Sequence, residues 1–197
     1  MSVIAETTHR SRWTGTADAE ERAHWRGIAE RVAAELESDA LQRDRANQDP
    51  TVELDLLREA GLVTLLQPAE FGGGGAHWET AFLVIRVLSR ADASVAQVLA
   101  YHYINSGNIG FAADPSVQER WHRKTTEGRW VWGDSVNPTD PDLELTVDGE
   151  GYRLNGLKRF STGASAGDVV LAAALVRGGE RDGQVLFVVL DLSLIHI

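Results

Sequence analysis

The sequence has 197 residues, of which 43% are apolar, and it carries a formal net charge of −10 without any cysteine. This length suffices for one large domain or two small ones. The acidic balance argues against nucleic acid or an anionic membrane as a partner, and the lack of cysteine excludes disulfides and thiolate metal sites. The first residues are polar, unlike a signal peptide, and no apolar run matches a bilayer span, so we expect a cytoplasmic protein.

Helical periodicity dominates the first two thirds of the chain. Residues 1–16 are polar and are expected to be frayed. Apolar residues then recur at helical spacing, and prolines, glycines and polar clusters separate the segments. The pattern predicts five helices, at about 17–46, 51–60, 78–88, 94–112 and 115–128.

The period changes after residue 128. The remaining sequence has short segments rich in β-branched and aromatic residues, separated by glycine-containing turns. It predicts six strands, at 130–132, 143–147, 152–154, 159–161, 169–176 and 185–190. Helices segregated from strands indicate an α+β fold in two layers or two domains, and not a doubly wound sheet.

Four consecutive glycines at 72–75 raise the question of a phosphate-binding loop. Such a loop follows a strand, opens a helix and has a defined glycine spacing. These glycines follow a helix and a short extended piece, and no Gly-Lys-Ser/Thr follows them. We therefore interpret them as a flexible turn between helices.

Three segments resemble the acyl-CoA dehydrogenase superfamily. They are the helix-to-helix turn at 61–75, the segment Asn-Gly-Leu-Lys-Arg-Phe-Ser-Thr-Gly-Ala at 155–164, and the strand start Asp-Val-Val-Leu at 168–171. The resemblance covers about residues 20–191. It implies an N-terminal all-helical domain at 17–128, an antiparallel β-barrel-like domain at 129–192 that is incomplete, and a missing C-terminal helical domain. Residues 193–197 are then interpreted as a foreign tail.

One branch of this superfamily is more similar than the others. Residues 42–46, Trp78 and residues 101–105 resemble dibenzothiophene monooxygenase-like, flavin-dependent monooxygenases. Ordinary acyl-CoA dehydrogenases carry a Thr-Glu-Pro-x-x-Gly-Ser-Asp segment, and residues 132–140 lack it. This departure puts a CoA thioester substrate in doubt.

The resemblance implies a flavin-dependent oxidoreductase, with FMN or FAD as cofactor. In the monooxygenase version, a separate flavin reductase supplies reduced flavin, and oxygen from O2 passes to a small apolar substrate. The resemblance also implies a homotetramer for a full-length form and low activity for the chain as given. Two alternatives stay open: an acyl-CoA dehydrogenase that oxidises an acyl-CoA thioester, and a non-catalytic scaffold module.

The same resemblance assigns flavin-binding residues to the strand-rich part. Thr162 matches the position that hydrogen-bonds the flavin ring, which would tune the cofactor's electronics. Phe160 would pack beside the ring, although a role as an ordinary core aromatic is an equal alternative. Ser161, between Phe160 and Thr162 in the chain, is also assigned to the flavin site. Trp132 would wall a flat ligand or fill the core. Asp134 matches a cofactor-facing position at which the resemblance predicts an amide.

Histidine 102 is the candidate catalytic residue. His102 lies in an apolar helix that also carries Tyr101 and Asn105. Burying polar groups in such a helix costs free energy unless they form hydrogen bonds. A histidine with a pKa near neutral suits proton transfer in an oxygenase pocket, and Tyr101 and Asn105 would contact substrate. The alternative is a hydrogen-bonded core histidine. No histidine spacing predicts a metal site.

Overall fold

The structure, a computed structural model, describes residues 15–112, 114–137, 142–149 and 151–194. The chain divides between Val131 and Trp132 into two compact units, a helical unit and a sheet unit. The predicted separation of helices from strands is therefore confirmed. Residues 1–14 and 195–197, for which we predicted a frayed end and a foreign tail, lie outside the described residues.

The helical unit has six α-helices in its described residues: α1 (Ala19–Glu37), α2 (Ala40–Ala46), α3 (Thr51–Glu59), α4 (Trp78–Leu88), α5 (Ala93–Ala112) and α6 (Pro115–Gly128). Helix α1 packs against α4, α4 against α5, and α5 against α6. Their apolar faces enclose a core whose largest members include Leu54, Leu57, Leu62, Leu65, Leu88 and Leu99.

The single long helix predicted at 17–46 is wrong, because the chain breaks between α1 and α2. Ser38 ends α1, since its amide and its hydroxyl both donate to the carbonyl of Glu35. Serine competes with helical hydrogen bonds in this way. The Arg43 side chain then donates to the carbonyl of Leu36, at 2.8 Å, which satisfies a helix-end carbonyl.

Arg43 joins four segments of the helical unit. Its guanidinium lies 2.8 Å from an Asp39 carboxylate oxygen, 3.2 Å from Glu53 and 2.8 Å from Asp92. The side chains of Arg43, Glu53 and Asp92 are each only 10–12% exposed. Buried carboxylates are tolerated when a cation pairs with them, so Arg43 is required for this packing.

The N-terminus of α4 is capped by a distant carboxylate. Glu21, on α1, accepts hydrogen bonds from the His77 amide at 2.9 Å, the His77 ring at 2.7 Å and the Thr80 hydroxyl at 2.5 Å. A negative charge at this end of a helix interacts favourably with the helix dipole and with the unpaired amides. Glu21 thus fixes how α1 and α4 pack.

The glycine segment is a rigid turn and not a flexible one. All four amides donate within the turn: those of Gly72, Gly73, Gly74 and Gly75 reach the carbonyls of Ala69, Pro68, Thr64 and Gln67. No amide of this turn is therefore left to bind a phosphate, which confirms that the segment is not a phosphate loop.

Two different constraints require glycine here. Gly72 and Gly75 have φ of 86° and 60°, the left-handed region that favours glycine. A Cβ on Gly73 would overlap the Gln67 carbonyl oxygen, and one on Gly74 would lie 2.8 Å from that of Leu65. Positive φ alone therefore does not account for the run of four.

The sheet unit has five strands in its described residues: β1 (Trp132–Ser135), β2 (Leu143–Asp148), β3 (Gly151–Gly156), β4 (Val169–Arg177) and β5 (Val185–Asp191). Strand β4 is central. On one edge, β1 pairs in parallel with its first half and β2 in parallel with its last residues, while β5 pairs antiparallel with the other edge. Strand β3 pairs antiparallel with β2.

The predicted antiparallel barrel is therefore corrected to an open, mixed sheet. Parallel pairing arises because β4 follows β3 in the chain but pairs with β1 and β2, so the connection at 157–168 has to pass β2, which a hairpin-by-hairpin interpretation of the sequence does not anticipate. Two short predicted strands are also wrong. Residues 159–161 form a loop, and the first strand begins only at Trp132.

Candidate functional site

A loop after β3 folds back onto β1 within the sheet unit. The amide of Asp134 donates to the carbonyl of Thr162 at 2.9 Å, which forms an isolated antiparallel bridge. One residue along, the hydroxyl oxygens of Ser135 and Ser161 lie 2.5 Å apart. The structure thus brings together three of the sequence-predicted site residues, Asp134, Ser161 and Thr162.

Gly133 allows this close approach. A Cβ at that position would lie 2.9 Å from the Thr162 carbonyl oxygen and 3.3 Å from the Gly163 carbonyl carbon. Gly163 itself has φ of 77°, so the turn after Thr162 also needs glycine. Neither Gly133 nor Ser135 was predicted from the sequence, although a glycine inside a strand commonly marks a close backbone approach.

Phe160 lies in this loop and is 84% exposed. The alternative of an ordinary core aromatic is therefore excluded. Its φ of 60° is unusual for a bulky residue, and such strain persists only where the surroundings impose it. The loop thus presents a flat apolar ring beside Ser161 and Thr162.

The two tryptophans around the strand start have different environments. Trp132, the first residue of β1, is fully buried. Trp130 precedes the strand, and its ring packs in the helical unit against Trp121, with the centroids 6.3 Å apart. Alternation along a strand would place residues 130 and 132 on one face, but Trp130 lies before the strand, so the two side chains lie in different environments.

Helix α5 holds the other predicted residues within the helical unit. His102 is fully buried, and its Nε2 donates to the carbonyl of Val63 at 2.6 Å. The neighbouring Tyr103 hydroxyl donates to the carbonyl of Leu62 at 2.7 Å. These two bonds attach α5 to the segment between α3 and the glycine turn, which gives His102 a structural task besides any chemical one.

Burial lowers the pKa of His102 to about 4, aided by the charge of Arg58 and opposed by the hydrogen bond to Val63. The pKa near neutral expected from the sequence is thus corrected. Because Nε2 carries the proton, Nδ1 carries a lone pair and the ring is neutral at pH 7. His102 can accept a hydrogen bond there but cannot supply a proton as an imidazolium.

The buried polar residues of α5 lie on one face of the helix. Asn105 and Ser106, three and four residues after His102, are 1% and 2% exposed, while Tyr101 is half-buried. Residues at these spacings are neighbours on a helix surface. The sequence patterns indicated Tyr101 and Asn105 but not the buried Ser106, which lies four residues after His102.

No group of three potential metal ligands occurs among the described residues. In the same part of the chain, no helix combines the length and the apolar character needed to cross a bilayer.

The geometry defines a class of α+β protein. A helical unit precedes a mixed sheet, and a loop is held against the first strand of that sheet. The family model "Acyl-CoA dehydrogenase, N-terminal domain" matches residues 18–129. The chain belongs to the acyl-CoA dehydrogenase family, which confirms the resemblance identified from the sequence.

Sequence comparison finds similarity to monooxygenases of this family. The chain is 32% identical over 161 residues to a probable FMNH2-dependent monooxygenase, SfnC, of Pseudomonas putida, which covers 82% of the chain and 40% of the relative. It is 33% identical over 184 residues to dibenzothiophene monooxygenase of Rhodococcus erythropolis, covering 90% and 43%. The chain thus spans less than half the length of these relatives.

A solved structure shares the fold. TdsC from Paenibacillus sp. A11-2, crystallised with FMN and indole, superposes with a TM-score of 0.82 at 28% identity, over 86% of this chain and 43% of TdsC.

Proposed function

We propose that this chain is part of a flavin-dependent monooxygenase that uses reduced FMN and O2 to oxidise a small apolar molecule. The observation that carries the proposal is its similarity, over most of its length, to monooxygenases such as SfnC and dibenzothiophene monooxygenase. Two dehydrogenase relatives are more distant, at 25% and 29% identity, which disfavours oxidation of an acyl-CoA thioester.

The residues of the sheet unit fit a flavin. Thr162 is partly exposed, and its hydroxyl makes no hydrogen bond within the described part of the chain, so it is available as a donor. Phe160 offers a flat apolar surface beside it. Fused aromatic rings with polar edges are recognised by such a combination of stacking and single hydrogen bonds.

Each residue of this loop then has a task. Thr162 donates to the flavin ring, Phe160 packs on the ring, and Ser135 fixes Ser161 through the hydroxyl pair. Asp134 holds the loop through its backbone, and Trp132 anchors β1 in the interior. When bound, the flavin supplies the electrons that activate O2; the protein contributes binding, orientation and exclusion of water.

On helix α5, His102, Tyr101 and Asn105 serve the substrate. His102 is neutral, so we assign it hydrogen-bond acceptance and orientation, and not the donation of a proton. Tyr101 and Asn105 contact substrate on the same helix. A separate flavin reductase supplies reduced FMN, the full-length protein is a homotetramer, and the location is the cytoplasm.

Reconstitution with FMN, a flavin reductase and NADH tests the proposal, with indole as the substrate probe. We expect O2 uptake that depends on FMN, oxygenated indole as product, and no reduction of the flavin by butyryl-CoA. Reduction of the flavin by butyryl-CoA without a reductase would contradict the monooxygenase function and would indicate an acyl-CoA dehydrogenase.

A matched pair of variants tests the flavin site. Thr162→Val removes the available hydroxyl and should weaken FMN binding about tenfold, which corresponds to one hydrogen bond. Thr146→Val, on the exposed side of β2, should leave FMN affinity unchanged. Equal FMN affinity in both variants would remove Thr162 from the site.

A further inference from the structure

The loop that carries Phe160 is held from both sides within the sheet unit. After Phe160, the Thr162 carbonyl accepts a hydrogen bond from the Asp134 amide, and the Ser161 hydroxyl lies 2.5 Å from that of Ser135. These contacts fix the loop to β1. Before Phe160, the loop contacts a different part of the sheet unit, the connection between β1 and β2.

Three successive residues make the contacts that precede Phe160. The Leu157 amide donates to the Asp142 carbonyl at 3.0 Å, and the Arg159 guanidinium lies 2.8 Å from the Asp142 carboxylate. Between them, the Lys158 ammonium donates to the Asn137 carbonyl at 2.5 Å. Lys158 thus joins the loop to the residue two positions after β1, whereas its neighbours join it to the residue just before β2.

Lys158 makes the strongest side-chain contact of this set. Its side chain is half-buried, and its bond to the Asn137 carbonyl includes an ionised donor. The Arg159 and Asp142 side chains are 56% and 47% exposed. Exposed ion pairs contribute little to stability, while charge-assisted hydrogen bonds shielded from water contribute more. Removal of the Lys158 ammonium should therefore release this side of the loop.

We propose that Lys158 is a positioning residue that holds Phe160 in its left-handed conformation and so directs the Phe160 ring towards the flavin. The φ of 60° is costly for a bulky residue and persists only where the surroundings impose it. Because one side of the loop is bonded to β1 and the other to Asn137, the backbone between them cannot relax without breaking a bond. The direction of the ring rests on the proposed flavin-dependent function.

The first experiment uses no ligand. Glycine adopts a positive φ without strain, and the Phe160 ring is 84% exposed, so Phe160→Gly should raise the melting temperature by a few degrees. In a Lys158→Met background the loop can relax, so the same change should raise it by less than half as much. Arg153→Met removes an exposed ion pair with Asp148 and is the matched control background, in which the full increase should remain.

Two results of this cycle would overturn the inference. Equal increases in the Lys158→Met and Arg153→Met backgrounds would show that Lys158 does not constrain Phe160. No increase for Phe160→Gly in the wild-type background would show that the loop holds no strain.

The second experiment measures flavin affinity by fluorescence titration. Lys158→Met should bind FMN about tenfold more weakly than wild type, because the ring of Phe160 is no longer held in place. Lys158→Arg keeps a charged donor and should recover most of the affinity, and Arg153→Met should bind FMN as wild type does. Riboflavin, which has the same ring system without the phosphate, should lose the same factor in Lys158→Met.

The flavin results separate the possible failures. A loss for FMN alone would mean that the Lys158 ammonium binds the phosphate as a point charge, and would overturn the positioning role. Wild-type affinity of Lys158→Met for both flavins would also overturn that role, but would leave the proposed flavin site intact. A wild-type protein that binds neither flavin would contradict the proposed function itself, and the positioning role with it.

Discussion

Replacing His102 by Phe should remove a large part of the acid sensitivity of this protein. The buried ring is neutral in the folded protein, where its pKa is lowered to about 4, mainly because burial penalises the charged form. In the unfolded chain the same ring titrates near 6.5. The unfolded state therefore binds a proton first, and stability falls as the pH drops from above 6.5 towards 4.

The size of the effect follows from the two pKa values. The fall from 6.5 to about 4 corresponds to about 3 kcal/mol, at 1.36 kcal/mol per pKa unit. This stabilisation is fully present above pH 6.5 and is lost as the pH falls through that window. It is a substantial fraction of the total stability of an ordinary domain.

Tyr103→Phe is the matched control. Tyr103 adjoins His102, and its hydroxyl donates to the Leu62 carbonyl much as His102 donates to Val63. Burial raises the pKa of Tyr103 well above its usual range, so it does not titrate in acid. At pH 7.5 each variant should lose about 1 kcal/mol or more, because each loses one buried hydrogen bond.

The two variants should separate only in acid. Urea denaturation at several pH values between 4 and 7.5 gives the free energy of unfolding for each protein. Wild type and Tyr103→Phe should show the same decline, and His102→Phe a decline smaller by about 3 kcal/mol. If the free energy of unfolding declined equally in all three proteins, the conclusion that His102 is buried and neutral would be wrong.

Three further changes test the packing of the helical unit. Gly73→Ala forces a Cβ into the Gln67 carbonyl and should cost about 2–4 kcal/mol in denaturation experiments, whereas Gly27→Ala, in an open position of α1, should be neutral or stabilising; equal effects would contradict the turn geometry. Arg43→Met leaves nearly buried carboxylates unpaired and should cost about 3–5 kcal/mol; a loss below 1 kcal/mol would mean that water reaches them. Burial alone would raise the pKa of Glu21, but hydrogen bonds from Thr80 and His77 outweigh it and the pKa is lowered. Its contribution is therefore present above about pH 4.3 and lost as the pH falls through the folded pKa, so Glu21→Gln should be less stable than wild type at pH 7, by a difference that shrinks as the pH falls below about 4.3; a difference that does not change with pH would not come from the charge.

Local sequence patterns predicted the helices well, because helical periodicity reflects which face of each segment is buried. The break at Ser38 was not visible in that periodicity. It depends on a serine hydroxyl turned to its own backbone and on Arg43 reaching a carbonyl seven residues earlier. Such contacts are decided by tertiary packing, which a periodic pattern does not contain.

The sheet was harder to predict for a related reason. Strand lengths follow from local composition, but pairing depends on long-range register. The two parallel partners on one edge of β4 leave no signal in either strand's own residues. The loop at 157–168 was identified through resemblance to a family. Without that resemblance, the signal in the sequence for this contact is Gly133, which lacks a side chain and therefore allows the Thr162 backbone to approach closely.

The chemistry of α5 is internally consistent. His102, bonded through Nε2 and with its pKa lowered, carries no charge at neutral pH. The helix around it contains no ionised side chain, and Ser106 offers a hydroxyl that no described group uses. Any proton required by an oxygenation reaction must therefore come from elsewhere, such as solvent or the substrate. Under the proposed function, the task left to His102 is to orient the substrate in a site without water, which the transfer of an oxygen atom requires.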